Sequence, residues 1–394
     1  MARKESWRAG APIPISGSYP PIRPDCPLEP RDLHQMKRVL DFFWPALGFV
    51  AVVWSVRLLY QKLLLEASID DRVRHLLEEG GLWSDIRIVG AVIGHKLAII
   101  PAQGYVLAGL STLVAYAALA WYDRIALIHL KRENGISWIY IAACSFVTYA
   151  LSHNIGATVV SGGMVRYRAY TAKGLSAAEV AVLVALCSYT FAFGTILLLG
   201  FVLISEPQIL GPLRQLSPYF AVGETVARST GFALLGFCAL YTIGAWLRLP
   251  PLRFRSFELK YPRLPIVLRQ YAAAPLELMG AAGIIYFALP ADGNPGFFIV
   301  LGAFLLSFSA GLLSQVPGGV GVMEAVFLAI MPGMPATSVF AALLVWRLFY
   351  LIAPLAFSIP IILLFERAQL ARANARAHEI AAETATPKTE TPAH

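Results

Sequence analysis

The chain has 394 residues, 57% of them hydrophobic and only 14% charged, with a mean hydropathy of +0.63. Globular domains carry about 25% charge, so a protein wetted on all sides is excluded, and the lack of alternating ten-residue strands excludes a membrane β-barrel. The net charge of +8 does not point to nucleic acid, because the basic residues fall between apolar runs, where they set membrane topology.

In chain order, residues 1–38 are polar, interrupted by prolines, and carry Arg3, Lys4, Arg8, Arg31, Lys37 and Arg38. They are expected to form a cytoplasmic N-terminal segment. No cleavable signal is read there, because the first apolar run is of span length rather than a short signal core. Apolar runs near 39–60, 101–122, 137–156, 177–204, 229–247, 266–289, 297–316 and 337–364 approach or exceed the roughly 20 residues that cross a bilayer. The fold class expected is therefore an all-α polytopic membrane protein with about eight transmembrane or re-entrant helical segments. Residues 83–100 read as an amphipathic interfacial helix carrying His95 and Lys96 and stopped by Pro101. Trp44, Trp121, Trp138 and Trp246 mark span ends, where indoles favour the headgroup level. Cys26, Cys144, Cys187 and Cys238 are too scattered for a disulfide framework or a metal site. The membrane domain is expected over 39–365. The polar tail, 366–394, reads as disordered and cytoplasmic.

Charge in the connections sets the orientation. The basic start places the N-terminus in the cytoplasm. The loop 61–87 holds six acids against four basic residues and can lie outside. Arg124, Lys131 and Arg132 return 123–136 to the cytoplasm. Arg248, Arg253, Arg255, Lys260, Arg263 and Arg269, against Glu258 alone, place 248–269 there too. Asp292 without basic neighbours leaves 290–296 outside. These assignments agree only if 137–172 enters from the cytoplasm and returns as a hairpin, and 297–331 does the same from outside. Gly162 aligns with Gly321, and Met164 with Met323, at one common offset. The expectation is an inverted repeat of two halves, about 101–205 and 266–364.

The two hairpins carry the candidate site. In the first, Asn154 and the glycines Gly162 and Gly163 precede Arg166 and Arg168. In the second, Pro317, Gly318, Gly319 and Gly321 precede Glu324. Glycines let a ligand approach backbone, and a helix that starts after such a break offers free N–H groups and a positive dipole end to an anion. The other reading is small-residue helix packing. Arg166, Glu277, Glu324 and Arg347 lie within apolar runs, where a charge costs roughly 2.5–3.5 kcal/mol or more unless it is paired or wetted. Arg166 and Arg168 suit a lipid phosphate, and Glu324 an amine-bearing headgroup. Glu277 and Arg347 are placed facing one another across the repeat. Structural ion pairs, Glu277 with Arg347 or Glu324 with Arg166, remain the alternative. His153 at the first break serves either a headgroup or packing, and Lys173 marks the cytoplasmic boundary.

These residues give the chain its resemblance. The stretch from Ser152 to Gly156, the run Gly162, Gly163, Arg166, Arg168 and Tyr170, the run from Pro317 to Gly321 with Glu324, and Trp346 with Arg347 and Tyr350 resemble the lysylphosphatidylglycerol synthase transmembrane-region family. That family comprises the flippase part of the multiple peptide resistance factor proteins and stand-alone relatives. The resemblance covers about 40–365. It implies a bundle with re-entrant segments and movement of a phospholipid between leaflets of a bacterial inner membrane, with aminoacylated phosphatidylglycerol or another lipid-linked phosphate as substrate. The soluble synthetase domain of the two-domain members has no counterpart after Phe365, so aminoacyl transfer is not expected here. No cofactor or metal is expected, and no enzyme activity. The partners expected are membrane phospholipids and a separate lipid synthetase, with a homo-oligomer left open. Two alternatives stand beside the flippase: a membrane-embedded transferase acting on a lipid, and a non-transporting partner of a separate synthetase.

Overall fold

The computed structural model describes residues 82–385 except 156–157, 216–222, 249, 251, 255–256, 260 and 315, together with the isolated positions Arg57 and Gln61. The N-terminal segment, the span expected at 39–60 apart from Arg57, nearly all of the acidic loop after it, and residues 386–394 lie outside the described residues.

The described chain is almost wholly helical. Helix α1 (Leu82–Ile99) leads through Pro101 into α2 (Ala102–Leu130), which ends where Lys131 turns into the left-handed conformation. A pair follows, α3 (Trp138–Ile155) and α4 (Thr158–Thr171), then the long α5 (Ala177–Ser205). The start of α5 is fixed locally. Ser176 and Glu179 form a reciprocal capping box, and Arg132 reaches across to Glu179 at 2.7 Å. A 3₁₀ segment (Pro207–Gln215) and α6 (Glu224–Trp246) lead to a small antiparallel ribbon, β1 (Leu252–Phe254) with β2 (Phe257–Leu259). The second half begins with α7 (Leu264–Ala288) and continues through a second pair, α8 (Phe297–Leu313) and α9 (Val322–Ile330). It ends with α10 (Ala336–Trp346), a π-helical stretch over Arg347–Ile352, and α11 (Ala353–Ala385). Five helical runs are long and apolar enough to cross a membrane: α2, α5, α6, α7 and the continuous Ala336–Ala371.

The tail differs from expectation. Helix α11 continues without interruption through 366–385. Its Ala, Arg and Glu content is strongly helix-forming, and it extends a helix that the membrane span has already nucleated.

Among the described residues the most extensive helix pairing is α2 against α7. A Cβ placed on Gly104 would come within 2.7 Å of Phe287 O, one on Gly283 within 3.0 Å of Ser111 Oγ, and one on Gly280 within 3.0 Å of Ala115 N. Further along, Tyr122 meets Glu277. Numbers rise on α2 as they fall on α7, so the two helices are antiparallel. Small residues at this seam let the backbones approach, the usual basis of helix contact in membranes. Each of these central helices is followed by a hairpin and a long helix, in the same order and opposite direction. The first hairpin therefore opens at the end of the molecule where α2 finishes and the second at the end where α7 finishes.

The two hairpins approach one another near their turns. Asn154 Nδ2, in the last turn of α3, donates to Leu351 O at 3.1 Å. The position of a Cβ on Gly318 lies 3.9 Å from His153 O. The π-helical stretch sits at this junction. Its geometry releases carbonyls from the regular ladder, and they are taken up from outside: Tyr116 Oη of α2 donates to Tyr350 O at 2.9 Å and Asn154 donates to Leu351 O.

Candidate functional site

The second hairpin explains its own motif. Between α8 and α9 the backbone takes three left-handed positions, Gly318 at φ +62°, Gly319 at φ +61° and Gly321 at φ +82°. Glycine adopts these without steric cost, and a side chain there costs roughly 1–2 kcal/mol. Glu324 closes the loop from within. Its Oε2 accepts from Gly321 N–H at 2.8 Å, and its Oε1 accepts from Arg347 Nε at 2.6 Å. Arg347 Nη1 in turn donates to Gly318 O at 3.0 Å. The helix start expected to receive a headgroup anion is thus occupied by the chain's own carboxylate, and both charges are answered by each other.

The first hairpin is built differently. The backbone resumes as helix at Thr158, so Gly162 and Gly163 lie inside α4 rather than at its start. A Cβ on Gly162 would come within 3.1 Å of Thr148 Cγ2 on α3, which makes Gly162 a packing position between the arms. Arg166 is 4% exposed and holds Asp123 of α2 with two nitrogens: Nη2 donates to Oδ1 at 2.7 Å and Nε at 3.2 Å. Tyr170 Oη donates to the other oxygen at 2.8 Å, and Cys187 Sγ to Oδ1 at 3.4 Å. The Arg166 guanidinium also lies 4.9 Å over the Tyr149 ring. A buried pair of this kind offsets its desolvation only because each remaining lone pair finds a donor.

Beside this network, between α3, α4, α5 and α8, is a cavity of about 140 Å³ whose lining includes Ser152, His153, Arg166, Ser188 and Phe308. It is close in size to a benzene-binding cavity of about 150 Å³. His153 Nδ1 is buried in this region without a hydrogen-bond partner among the described residues, and its ring stacks on Tyr350 at 5.3 Å. An orphaned polar atom of this kind calls for a guest or a water. A second space, about 310 Å³, is an apolar groove between α3, α4 and α11, lined by Val147, Leu151, Val165, Ile361 and Phe365. Arg168 and Glu366 stand at its polar end, their ion pair 2.8 Å long and exposed, with the Arg168 side chain 64% accessible.

The expected site residues therefore separate. Arg166, His153 and Asn154 gather where the hairpins meet, and Arg347, Glu324 and Gly318 close the opposing loop. Arg168 lies at the groove mouth. Two pairings are corrected: Arg347 holds Glu324 and not Glu277, and Arg166 holds Asp123 and not Glu324. Length explains the first, since Glu324 is already drawn to the end of its own short helix, within reach of the next. Asp123 escaped notice because the span drawn to 122 stops one residue before it, whereas α2 continues to Leu130 and buries Asp123 completely. Glu277 is enclosed by tyrosines, Tyr350 Oη at 2.6 Å and Tyr122 Oη at 3.4 Å. Its side chain lines neither of these two spaces.

No family model matches the chain. Two known proteins do. The chain is 28% identical over 275 residues to the inner membrane protein YbhN of Escherichia coli K12, covering 69% of this chain and 81% of that protein. It is 30% identical over 249 residues to the uncharacterized protein slr0712 of Synechocystis, covering 62% of this chain and 73% of that protein. With its five apolar helical runs and this extent of shared sequence, the chain belongs to the same family of membrane proteins as slr0712.

Proposed function

We propose that this protein moves a phospholipid between the two leaflets of the membrane. The observation that carries the reading is the meeting of two oppositely opening hairpins around a cavity with an orphaned histidine nitrogen, beside a lateral apolar groove. Inverted halves with interrupted segments at their interface are the architecture of alternating-access carriers. The resemblance to the flippase part of the multiple peptide resistance factor proteins supports the same substrate class.

The two arginines take different parts in this proposal. Arg166 is spoken for by Asp123 and forms a fixed wall. Arg168 is the cation a headgroup phosphate reaches first. Its exposed pair with Glu366 is worth about 0–1 kcal/mol, so a bidentate phosphate contact displaces it readily. The acyl chain lies along the groove while the headgroup enters the cavity, which holds a phosphate-sized group and no chain. Passage therefore requires one hairpin tip to move.

The test is reconstitution in vesicles with fluorescent phosphatidylglycerol, followed by quenching of the outer leaflet. The protein is expected to accelerate exchange, Arg168→Ala to slow it about tenfold, a loss of about 1.4 kcal/mol, and Arg168→Lys to fall between. Exchange no faster than in empty vesicles, for phosphatidylglycerol, its aminoacyl ester and phosphatidylethanolamine alike, rules the proposal out.

A further inference from the structure

Among the described residues, three acids are buried within the helical core: Asp123, Glu277 and Glu324. Two of them face a guanidinium at 2.7 Å or less. Glu277 faces none. It is 1% exposed, in the middle of α7 on the seam with α2, two residues after Pro275. Tyr350 Oη donates to its Oε1 at 2.6 Å, and Tyr122 Oη stands 3.4 Å from Oε2.

The surroundings offer no counter-charge. From α2 the titratable groups on this side are Tyr116 and Tyr122, and from the π-helical stretch Tyr350. From α3 they are Tyr149 and His153, whose rings pack on Tyr122 and Tyr350, and from α5 Cys187, which is turned to Asp123. The sequences of α8 and α10 contain no ionisable residue. Arg347 spends its guanidinium on Glu324 and Gly318. An ionised carboxylate in such a place carries several kcal/mol of uncompensated desolvation, and the group escapes this by holding a proton. Both contacts are tyrosine hydroxyls donating to the carboxyl, Tyr350 to Oε1 and Tyr122 to Oε2, and neither brings a positive charge.

We infer that Glu277 is a proton-carrying site whose charge state is linked to the arrangement of the two hairpin tips. The link runs through Tyr350. That residue sits in the π-helical stretch, which also supplies Arg347 to the loop at Gly318 and the Leu351 carbonyl to Asn154 of the first hairpin. Loss of the proton leaves a bare negative charge under the junction, which only water or a cation can answer. Admitting either one means moving the π-helical stretch, and with it the contacts that hold both tips. By reciprocity, opening the tips promotes release of the proton. Nothing is consumed in this step: the carboxyl gives its proton to water and regains it. The inference goes beyond lipid movement and does not depend on which lipid is carried.

The experiment uses the full chain in nanodiscs of phosphatidylethanolamine and phosphatidylglycerol, with no substrate added. Infrared difference spectra across a pH series should show a protonated-carboxyl stretch that titrates away and is missing from Glu277→Gln. Hydrogen exchange over 313–321 and 347–352 should rise at least tenfold across the same pH interval in the wild type and stay flat in Glu277→Gln. Tyr350→Phe keeps the ring and removes the hydroxyl. It should displace the midpoint of both titrations by about one pH unit, a tenfold change in proton affinity, and it reads the same site if Glu277→Gln does not fold. A band that never appears means a permanently ionised Glu277 and overturns the inference. So does a band that titrates while exchange at the tips stays unchanged. Either result leaves the lipid proposal standing, whereas inert vesicles with a normal titration remove only the latter.

Discussion

Arg166 and Asp123 share the most enclosed ion pair among the described residues, with side chains 5% and 0% exposed. Removing one member of such a pair leaves the other buried and unanswered, at about 3–5 kcal/mol. Asp123→Asn is therefore expected to lower thermal stability in detergent severely, with Arg166→Gln equally harmful. The double variant should be clearly more stable than the sum of the two single losses predicts, because no net charge is then left behind. Additive losses in the melting curves would show that the pair is not coupled. The sequence displayed Arg166 plainly, as a basic residue in an apolar run, but hid its partner. An acid one residue past an apparent span end reads as part of a cytoplasmic loop, and only the extra two turns of α2 bring it inside.

The loop from Pro317 to Gly321 shows how much of an element a short motif can specify. Gly319 needs a positive φ, and a Cβ there would also lie 3.2 Å from Gly311 Cα. Gly174, at φ +86°, has nothing within 4 Å. Gly174→Ala is expected to cost only the backbone term of about 1–2 kcal/mol. Gly319→Ala should cost more, because α8 must also move aside. Melting temperatures of the two variants check this, and equal losses would mean that the contact with α8 relaxes freely. The breaks themselves were legible as glycine clusters, and the second was read at its true position. The first break, read at His153, also falls where expected, but the helix expected to start after Gly163 starts at Thr158, so Gly162 and Gly163 lie inside α4 as packing positions. The helical run over 366–385 was missed for a related reason. Polar composition argued for disorder, while the preceding span supplies a helix end from which alanine-rich sequence simply continues.

At the scale of the molecule, the antiparallel seam of α2 and α7 makes the halves opposed in direction, a feature that charge counting in the connections anticipated. The structure puts the bases of the two hairpins at opposite ends, beyond Thr171 and before Phe297. Single cysteines replacing Lys173 and Asp292, in a variant lacking the natural cysteines, should react with a membrane-impermeant maleimide from opposite faces, Lys173→Cys from the cytoplasm. Labelling of both from one face contradicts the inverted arrangement. The opposed direction of the two halves was readable because the sign of the charge in the connections alternates independently of packing. The contacts at the junction of the hairpins were not, since they join residues almost two hundred positions apart, such as Asn154 of the first hairpin and Leu351 of the π-helical stretch, with no local signature.

The partners of the buried charges also bear on how the chain is made. Asp123 and Arg166 are 43 residues apart and Glu324 and Arg347 are 23 apart, so each pair closes within its own half. At a synthesis rate of roughly 5–20 residues per second, the first acid waits only about two to nine seconds for its arginine. The first half can thus settle in the bilayer electrically complete before the second has left the ribosome. What remains to join them is a seam of glycine, alanine and serine, together with one carboxyl and its tyrosines. Glu277 waits 73 residues for Tyr350, and a neutral, protonated group is the one kind of acid that can wait in lipid. Within the core, assembly of the halves is then a docking of uncharged surfaces through the small-residue seam and the contact of Tyr122 with Glu277, while the ion pair of Arg168 with Glu366 joins them at an exposed edge.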